Sequence, residues 1–136
     1  DIYASISGMS RTTGREEIVK AGCECIAYQI NDVIDAMRKD SEIDISQMCV
    51  DGGPTRNKYL MQFQSDISQT EIKIPDAEEL SVIGAGYLAG ESAGYYEPDD
   101  IYKAITYNFF ETEMPEQERN EKVQGWNEAV EMLLKK

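Results

Sequence analysis

From about residue 14 to residue 39, small and apolar side chains recur at intervals of three and four: Val19, Gly22, Cys23, Ile26, Ala27, Ile30, Val33, Ile34 and Met37. That spacing predicts one long amphipathic helix with a single apolar face. Such a helix draws its stability from the surface that buries its stripe, so the remaining elements must supply that surface. Upstream, Ile2, Ala4 and Ile6 alternate with more polar neighbours, which predicts a half-buried strand over Ile2–Ser7. Gly8 ends it and Ser10–Gly14 reads as a turn. Thr13 and Glu16 have the spacing of a capping box at the start of the long helix.

Downstream, Met48-Cys49-Val50 is a short strand candidate that runs into the turn Asp51-Gly52-Gly53-Pro54. Pro54 suits the first position of a following helix, where its missing N–H costs nothing. Leu60, Phe63 and Ile67 form the stripe of that helix, with Met61 and Gln64 on its flank. Ile72-Lys73-Ile74 is the next strand, stopped by Pro75. Ser81 is the expected cap of a helix through Ala93 whose Gly84, Ala85, Gly86, Ala89 and Gly90 leave room for another backbone. Asp99 suits the cap of a short helix through Ala104, and Tyr107, Phe109 and Phe110 read as an extended segment packed on the body. Pro115-Glu116 opens a last helix with Val123, Trp126, Val130 and Leu133 as its stripe.

Strand and helix alternate along the chain, which is the pattern of an α/β fold. Three short strands are few for so many helices, so the expectation is the later part of a sheet domain whose earlier strands are absent. The 136 residues begin at Asp1, which fits an upstream portion lying outside this sequence.

Composition narrows the chemistry. The chain contains no His, which removes the Ser-His-Asp triad, the Cys-His dyad and imidazole metal ligation. With 26 acids against 13 bases the net charge is −13, which argues against nucleic acid and anionic membrane as partners. Seven acids and no base lie between Lys73 and Lys103, a solvated acidic face. Cys23, Cys25 and Cys49 form neither a disulfide framework nor a metal spacing, so reduced thiols and a cytoplasmic setting are expected. No apolar run reaches the roughly 18 residues of a membrane span, and no signal peptide is visible.

The most informative local segment is Asp51-Gly52-Gly53-Pro54-Thr55-Arg56-Asn57. A strand that ends in two glycines before a helix start brings backbone close to a ligand at the positive end of a helix dipole. A lone Gly-Gly is also an ordinary turn, and no Gly-Lys-Ser/Thr follows to make a Walker A loop. Asn57 can hydrogen-bond a base or ribose, or cap its own helix. Thr13 and Glu79 read as helix-terminus residues, although Glu79 suits a loop or a magnesium-bound water. Cys49 reads as a small buried hydrophobe, with no His or nearby cation to activate it.

Several whole phrases resemble the C-terminal domain of the FGGY carbohydrate kinases. They are Gly8-Met9-Ser10-Arg11-Thr12-Thr13, Cys25 to Gln29 with Asp32 to Met37, and Val50-Asp51-Gly52-Gly53. Leu60 to Ile67, Gly84 to Gly90, and Gly125-Trp126 with Ala129-Val130 follow in the family's order, so the resemblance spans nearly the whole chain. It implies an α/β fold of the actin-like ATPase and ribonuclease H type, present as its later part. Residues 1–96 would belong to the nucleotide-binding domain and residues 97–136 to a helical extension packed on it. The resemblance implies ATP and Mg²⁺ as cofactors and transfer of the γ-phosphate to a polyol or sugar hydroxyl. Glycerol is favoured, with xylulose or another sugar as the alternative.

Carried over residue by residue, Gly53 and Asn57 would contact the adenosine end of ATP, and the backbone near Gly52 would form the same wall. No catalytic residue and no metal ligand of the family falls in this chain. The sugar-contacting residues lie upstream, so the chain alone is expected to be inactive. Family members pair into oligomers. Two departures stand out: Pro54 occupies a position usually held by a small residue such as Ala, and Lys58 replaces a second Asn. Proline cannot donate an N–H to a nucleotide at that position. The competing reading is a non-catalytic nucleotide-binding or oligomerisation module that uses the acidic face and the Gly84–Gly90 helix.

Overall fold

The computed structural model of the chain describes residues 3–77, 80–95, 97 and 105–135. The long helix α1 runs over Arg15–Ser41. It is followed by strand β1 (Gln47–Cys49), a one-turn 3₁₀ helix (Gly53–Arg56) and helix α2 (Lys58–Ser68). Strand β2 (Glu71–Pro75), helix α3 (Leu80–Ser92), strand β3 (Tyr107–Phe110) and helix α4 (Glu116–Leu134) complete the order. The sheet order is β1-β2-β3. β1 lies parallel to β2 with Met48 opposite Ile72, and β3 lies antiparallel with Phe110 opposite Ile72. The expected short helix from Asp99 to Ala104 and the reading of Glu79 fall outside the described residues.

α2 is the centre of the molecule. Leu60, Met61, Phe63 and Ile67 join Ala27 of α1 and Ile72 of β2 in one apolar cluster, flanked by Met48, Val50, Ile74, Phe110 and Val123. A stripe on Leu60, Phe63 and Ile67 describes only part of this. Gln64, Ser65, Asp66 and Ser68 are buried as well, because α1, the sheet and the C-terminal segment each cover a different side. Most of their polar groups are bonded, Gln64 Oε1 excepted: Ser68 Oγ donates to Gln64 O at 2.7 Å and Ser65 Oγ to Phe110 O at 2.9 Å. Asp66 Oδ1 accepts from the backbone N–H groups of Glu113 and Met114 at 2.7 and 3.0 Å, and Arg119 Nε donates to Ile67 O at 2.8 Å. These bonds fasten the approach to α4 onto α2.

The C-terminal end of α1 is held by one side chain. The Arg38 guanidinium donates to Ser68 O, Ile45 O and Thr70 Oγ1, each at 2.9 Å. It thereby joins α1, the chain leading into β1, and the turn between α2 and β2. Midway along α1, Trp126 stacks on Tyr28 (centroids 5.2 Å apart, 8° between planes) and its Nε1–H donates to Asp32 at 2.9 Å. The α4 stripe of Val123, Trp126, Val130 and Leu133 is half-buried, as its spacing predicts.

Five expectations are corrected. Residues 3–10 form no strand: a strand needs a partner for its backbone groups, none is present among the described residues, and Tyr3 and Ile6 are exposed. The helix start is shifted by one residue, since Gly14 is the N-cap and its N–H donates to Glu17 at 2.8 Å, while Thr13 Oγ1 accepts from Ser10 N–H. Bonds from Glu17's own backbone N–H and then from that of Gly14 hold the Glu17 carboxyl below its usual range. Pro54 opens the 3₁₀ turn rather than α2, which begins at Lys58. Cys49 is exposed, because β1 is an edge strand left uncovered at that position, and all three cysteines are free thiols. On α1 the buried residues are Ala27, Asn31 and Ile34, whereas Val19, Ile26, Ile30, Val33 and Met37 of the predicted stripe face solvent.

Arg38→Ala removes three charge-assisted bonds and should cost about 2–3 kcal/mol in urea unfolding. Burial first, and then the Glu24 carboxylate, push the Tyr28 phenol from 10.0 up to about 12. The folded state therefore favours the neutral phenol, so this contribution is complete below pH 10 and fades as pH rises towards about 12. Comparing urea midpoints of the wild type and Tyr28→Phe across that range checks it, since the phenylalanine variant should lose less stability.

Candidate functional site

β1 delivers the chain to the turn that the sequence singled out. Val50 N–H donates to Lys73 O at 3.0 Å, continuing the parallel ladder, and the chain then reverses at Gly52. Gly52 has φ 98° and ψ 175°, a conformation that side chains rarely adopt. Thr55 locks the turn twice, its N–H and hydroxyl both donating to Gly52 O at 3.0 and 2.7 Å. Pro54 sits in the first turn of the 3₁₀ helix, where its missing N–H has no intrahelical partner to lose.

Gly53 is different from Gly52. Its φ is not positive, and a Cβ built there would meet no atom within 4 Å. Neither backbone conformation nor packing within this chain requires a glycine at position 53. Asn57 is the N-cap of α2, with its Oδ1 accepting from Leu60 N–H at 3.2 Å. The capping function expected as the alternative for Asn57 is thus present. It occupies one end of the amide and leaves Nδ2 within 3.9 Å of Cys23 Sγ.

Asn57 also lines an open cleft of about 650 Å³ between the start of α2 and the first half of α1, with Arg15, Val19, Lys20, Cys23 and Tyr59. Gly52 and Gly53 lie at the neighbouring exposed turn, outside that lining. The structure therefore brings the three residues onto one turn-and-cap segment but places only Asn57 in the cleft. Tyr59, Lys20 and Glu24 are residues that the sequence did not single out. Tyr59 Oη donates to Glu24 at 2.5 Å, and Lys20 pairs with Glu24 at 3.7 Å and stands 5.9 Å above the Tyr59 ring. Burial, followed by the bond to Glu24, pushes the Tyr59 phenol upward, so it remains a neutral donor. The i,i+4 spacing of Lys20 and Glu24 was a readable signal for their pairing; nothing in the sequence pointed to Tyr59. Among the described residues, no three His, Cys, Asp or Glu side chains gather as a metal site. No helix there is long and apolar enough to cross a membrane.

The architecture matches that of actin-like ATPase-type sugar kinases. A solved Plasmodium falciparum glycerol kinase with ADP superposes with a TM-score of 0.89 at 37% identity, covering 98% of this chain and 27% of that one. A xylulose kinase from Rhodospirillum rubrum shares the fold at a TM-score of 0.73 and 20% identity. In sequence, residues 1–93 match the FGGY family of carbohydrate kinases, C-terminal domain, and the chain belongs to that family. It is 44% identical to the glycerol kinase of Natranaerobius thermophilus over 98% of its length, and 40% identical to that of Bacillus subtilis. The chain spans 28% and 27% of those two relatives.

The two glycines should respond differently to substitution. Gly52→Ala forces an alanine into a left-handed backbone and should cost about 1–2 kcal/mol. Gly53→Ala meets open space and should change stability by less than about 0.5 kcal/mol. Thermal unfolding of both variants measures the contrast.

Proposed function

We propose that the chain forms the adenosine side of the ATP site in a carbohydrate kinase, which transfers the γ-phosphate of ATP to a polyol or sugar hydroxyl. The observation that carries this is the likeness, over 98% of the chain, to a glycerol kinase whose structure contains ADP. In this reading Gly53 is a glycine because a nucleotide, and no atom of the chain, approaches it. Gly52 sets the turn that presents it, and Asn57 uses the amide N–H not directed at Cys23 Sγ to donate to the base or ribose while its oxygen stays committed to the cap. A donor fixed by its own helix cap binds with little further loss of side-chain freedom.

Phosphoryl transfer depends on positioning and on charge stabilisation around a magnesium-bound phosphate. Those tasks fall to the part of the polypeptide outside this chain, where Mg²⁺, the acceptor and the catalytic base would be held. The 136 residues alone therefore bind no acceptor and turn nothing over. Glycerol is the favoured acceptor because the relatives at 40% and 44% identity are glycerol kinases. In this reading residues 97–136 extend the nucleotide-binding unit that ends near residue 96.

The test is made in the full-length polypeptide with Mg-ATP and a panel of glycerol, xylulose, ribulose and gluconate, reading ADP release. Turnover with glycerol is expected. Asn57→Ala and Gly53→Ala should each weaken ATP binding about tenfold, roughly 1.4 kcal/mol. Because Gly53→Ala leaves stability intact, unchanged ATP affinity in that variant rejects the site. Turnover with a different panel member reassigns the substrate without touching the nucleotide reading.

A further inference from the structure

We infer that Tyr59, tied to Glu24 and Lys20, is a positioning residue for the nucleotide site: it holds the first turn of α2 against α1 and so fixes the wall of the cleft that Asn57 faces. The inference rests on the reading that adenosine is held there, and deepens it. Tyr59 is the second residue of α2, two beyond the Asn57 cap.

Among the described residues, side-chain bonds join α1 to α2 at three levels. Arg38 donates to Ser68 O at the far end, and Gln64 Nε2 donates to Ala27 O at 3.4 Å in the middle. At the cleft end the Tyr59 hydroxyl donates to Glu24, whose side chain is only 17% exposed. The neighbouring contact of Asn57 Nδ2 with Cys23 Sγ, at 3.9 Å, is at the outer reach of a bond to sulfur. The phenol–carboxylate bond is therefore the strong tie at this end, since a hydrogen bond to an ionised acceptor is about twice as strong as a neutral one. Burial raises the Tyr59 phenol, so it donates throughout the neutral range.

Tyr59 and Lys20 line two hollows at once. One is the cleft that holds Asn57, and the other is a smaller hollow of about 230 Å³ that reaches Gln62, Met114 and Lys122. Empty space beside a ring supplies no packing to keep it in place, so its position depends on specific contacts. The ring stacks on Phe63 (centroids 6.0 Å apart, 13° between planes), a core residue, and Lys20 Nζ stands 5.9 Å above it. Lys20 is itself paired with the Glu24 carboxylate at 3.7 Å. The stack sets the plane of the ring, and the bond to Glu24 ties its tip to α1. Without that bond the ring has room to swing, and the turn that carries Asn57 loses its tie across the cleft.

The test uses the full-length polypeptide with Mg-ATP and its acceptor, reading KM for ATP, KM for the acceptor and kcat separately. Tyr59→Phe keeps the ring and its stack and removes only the hydroxyl. KM for ATP should rise about fivefold while kcat and the acceptor KM stay within about twofold, the pattern of lost binding without lost chemistry. Glu24→Ala should match it. Glu24→Gln, which keeps an acceptor oxygen for the phenol, should recover most of the affinity lost in Glu24→Ala. The Tyr59→Phe/Glu24→Ala double variant should be no weaker than either single, because both remove the same interaction. An unchanged KM for ATP in Tyr59→Phe overturns the inference, even if thermal stability falls, and so does a rise shared equally by ATP and acceptor. Asn57→Ala, measured alongside, separates the two readings. A weakened Asn57→Ala beside an unaffected Tyr59→Phe rejects the positioning role and leaves the nucleotide site standing, whereas two unaffected variants reject both.

Discussion

The Arg38 guanidinium sets the geometry on which the rest of the molecule depends. It accepts no bond and donates several, to carbonyls and a hydroxyl in the chain before β1 and in the turn between α2 and β2. By fixing Ile45 against Ser68 and Thr70 it determines where β1 starts beside β2, and so which residues pair. A parallel pair this short has little to hold its register from within. The position of the Gly52 turn, three residues beyond the last paired residue of β1, therefore follows from a contact made at the far end of the strand. Arginine suits this role better than lysine because its planar fork satisfies several acceptors at once with a charge that does not titrate.

α2 carries that order to the remaining elements. Buried polar side chains weaken a helix at the centre of a small core when they are left unpaired, since an unpaired buried polar group costs stability. Here they make the long-range connections instead: Asp66 holds the segment before α4, Ser65 holds β3, and Gln64 reaches Ala27 O. Apolar contacts supply the bulk of the attraction, while these bonds select one arrangement of the elements around the helix.

The sequence disclosed those features that depend on local periodicity. α1, α2, β2 and α4 are where their apolar spacing places them, to within a few residues, because each buries at least part of its predicted stripe. Two kinds of feature did not follow from spacing. The face of α1 that is buried lies about a quarter-turn from most of the predicted stripe, since periodicity records every apolar surface without naming the neighbour that covers it. The expected strand at Ile2–Ser7 has the right alternation but, among the described residues, no ladder, because a strand is defined by its partner. At the candidate site the glycine pair was legible, and the different reasons for its two members were not. Gly52 is required by a positive φ, while Gly53 is permitted by open space, and only backbone geometry separates them. The Tyr59–Glu24 bond joins residues 35 apart and left no local trace.

The Trp126–Tyr28 stack has an optical consequence. Trp126 is the only tryptophan of the chain, and it lies across the contact between the last helix and the first with its N–H bonded to Asp32. Its emission is therefore a single-site gauge of whether those two helices are together. The colour of that emission follows the polarity around one indole ring, so release of the C-terminal helix would register as a spectral change while α1, α2 and the sheet stayed intact. The fold thus carries its own chromophore at the joint between its first and last elements.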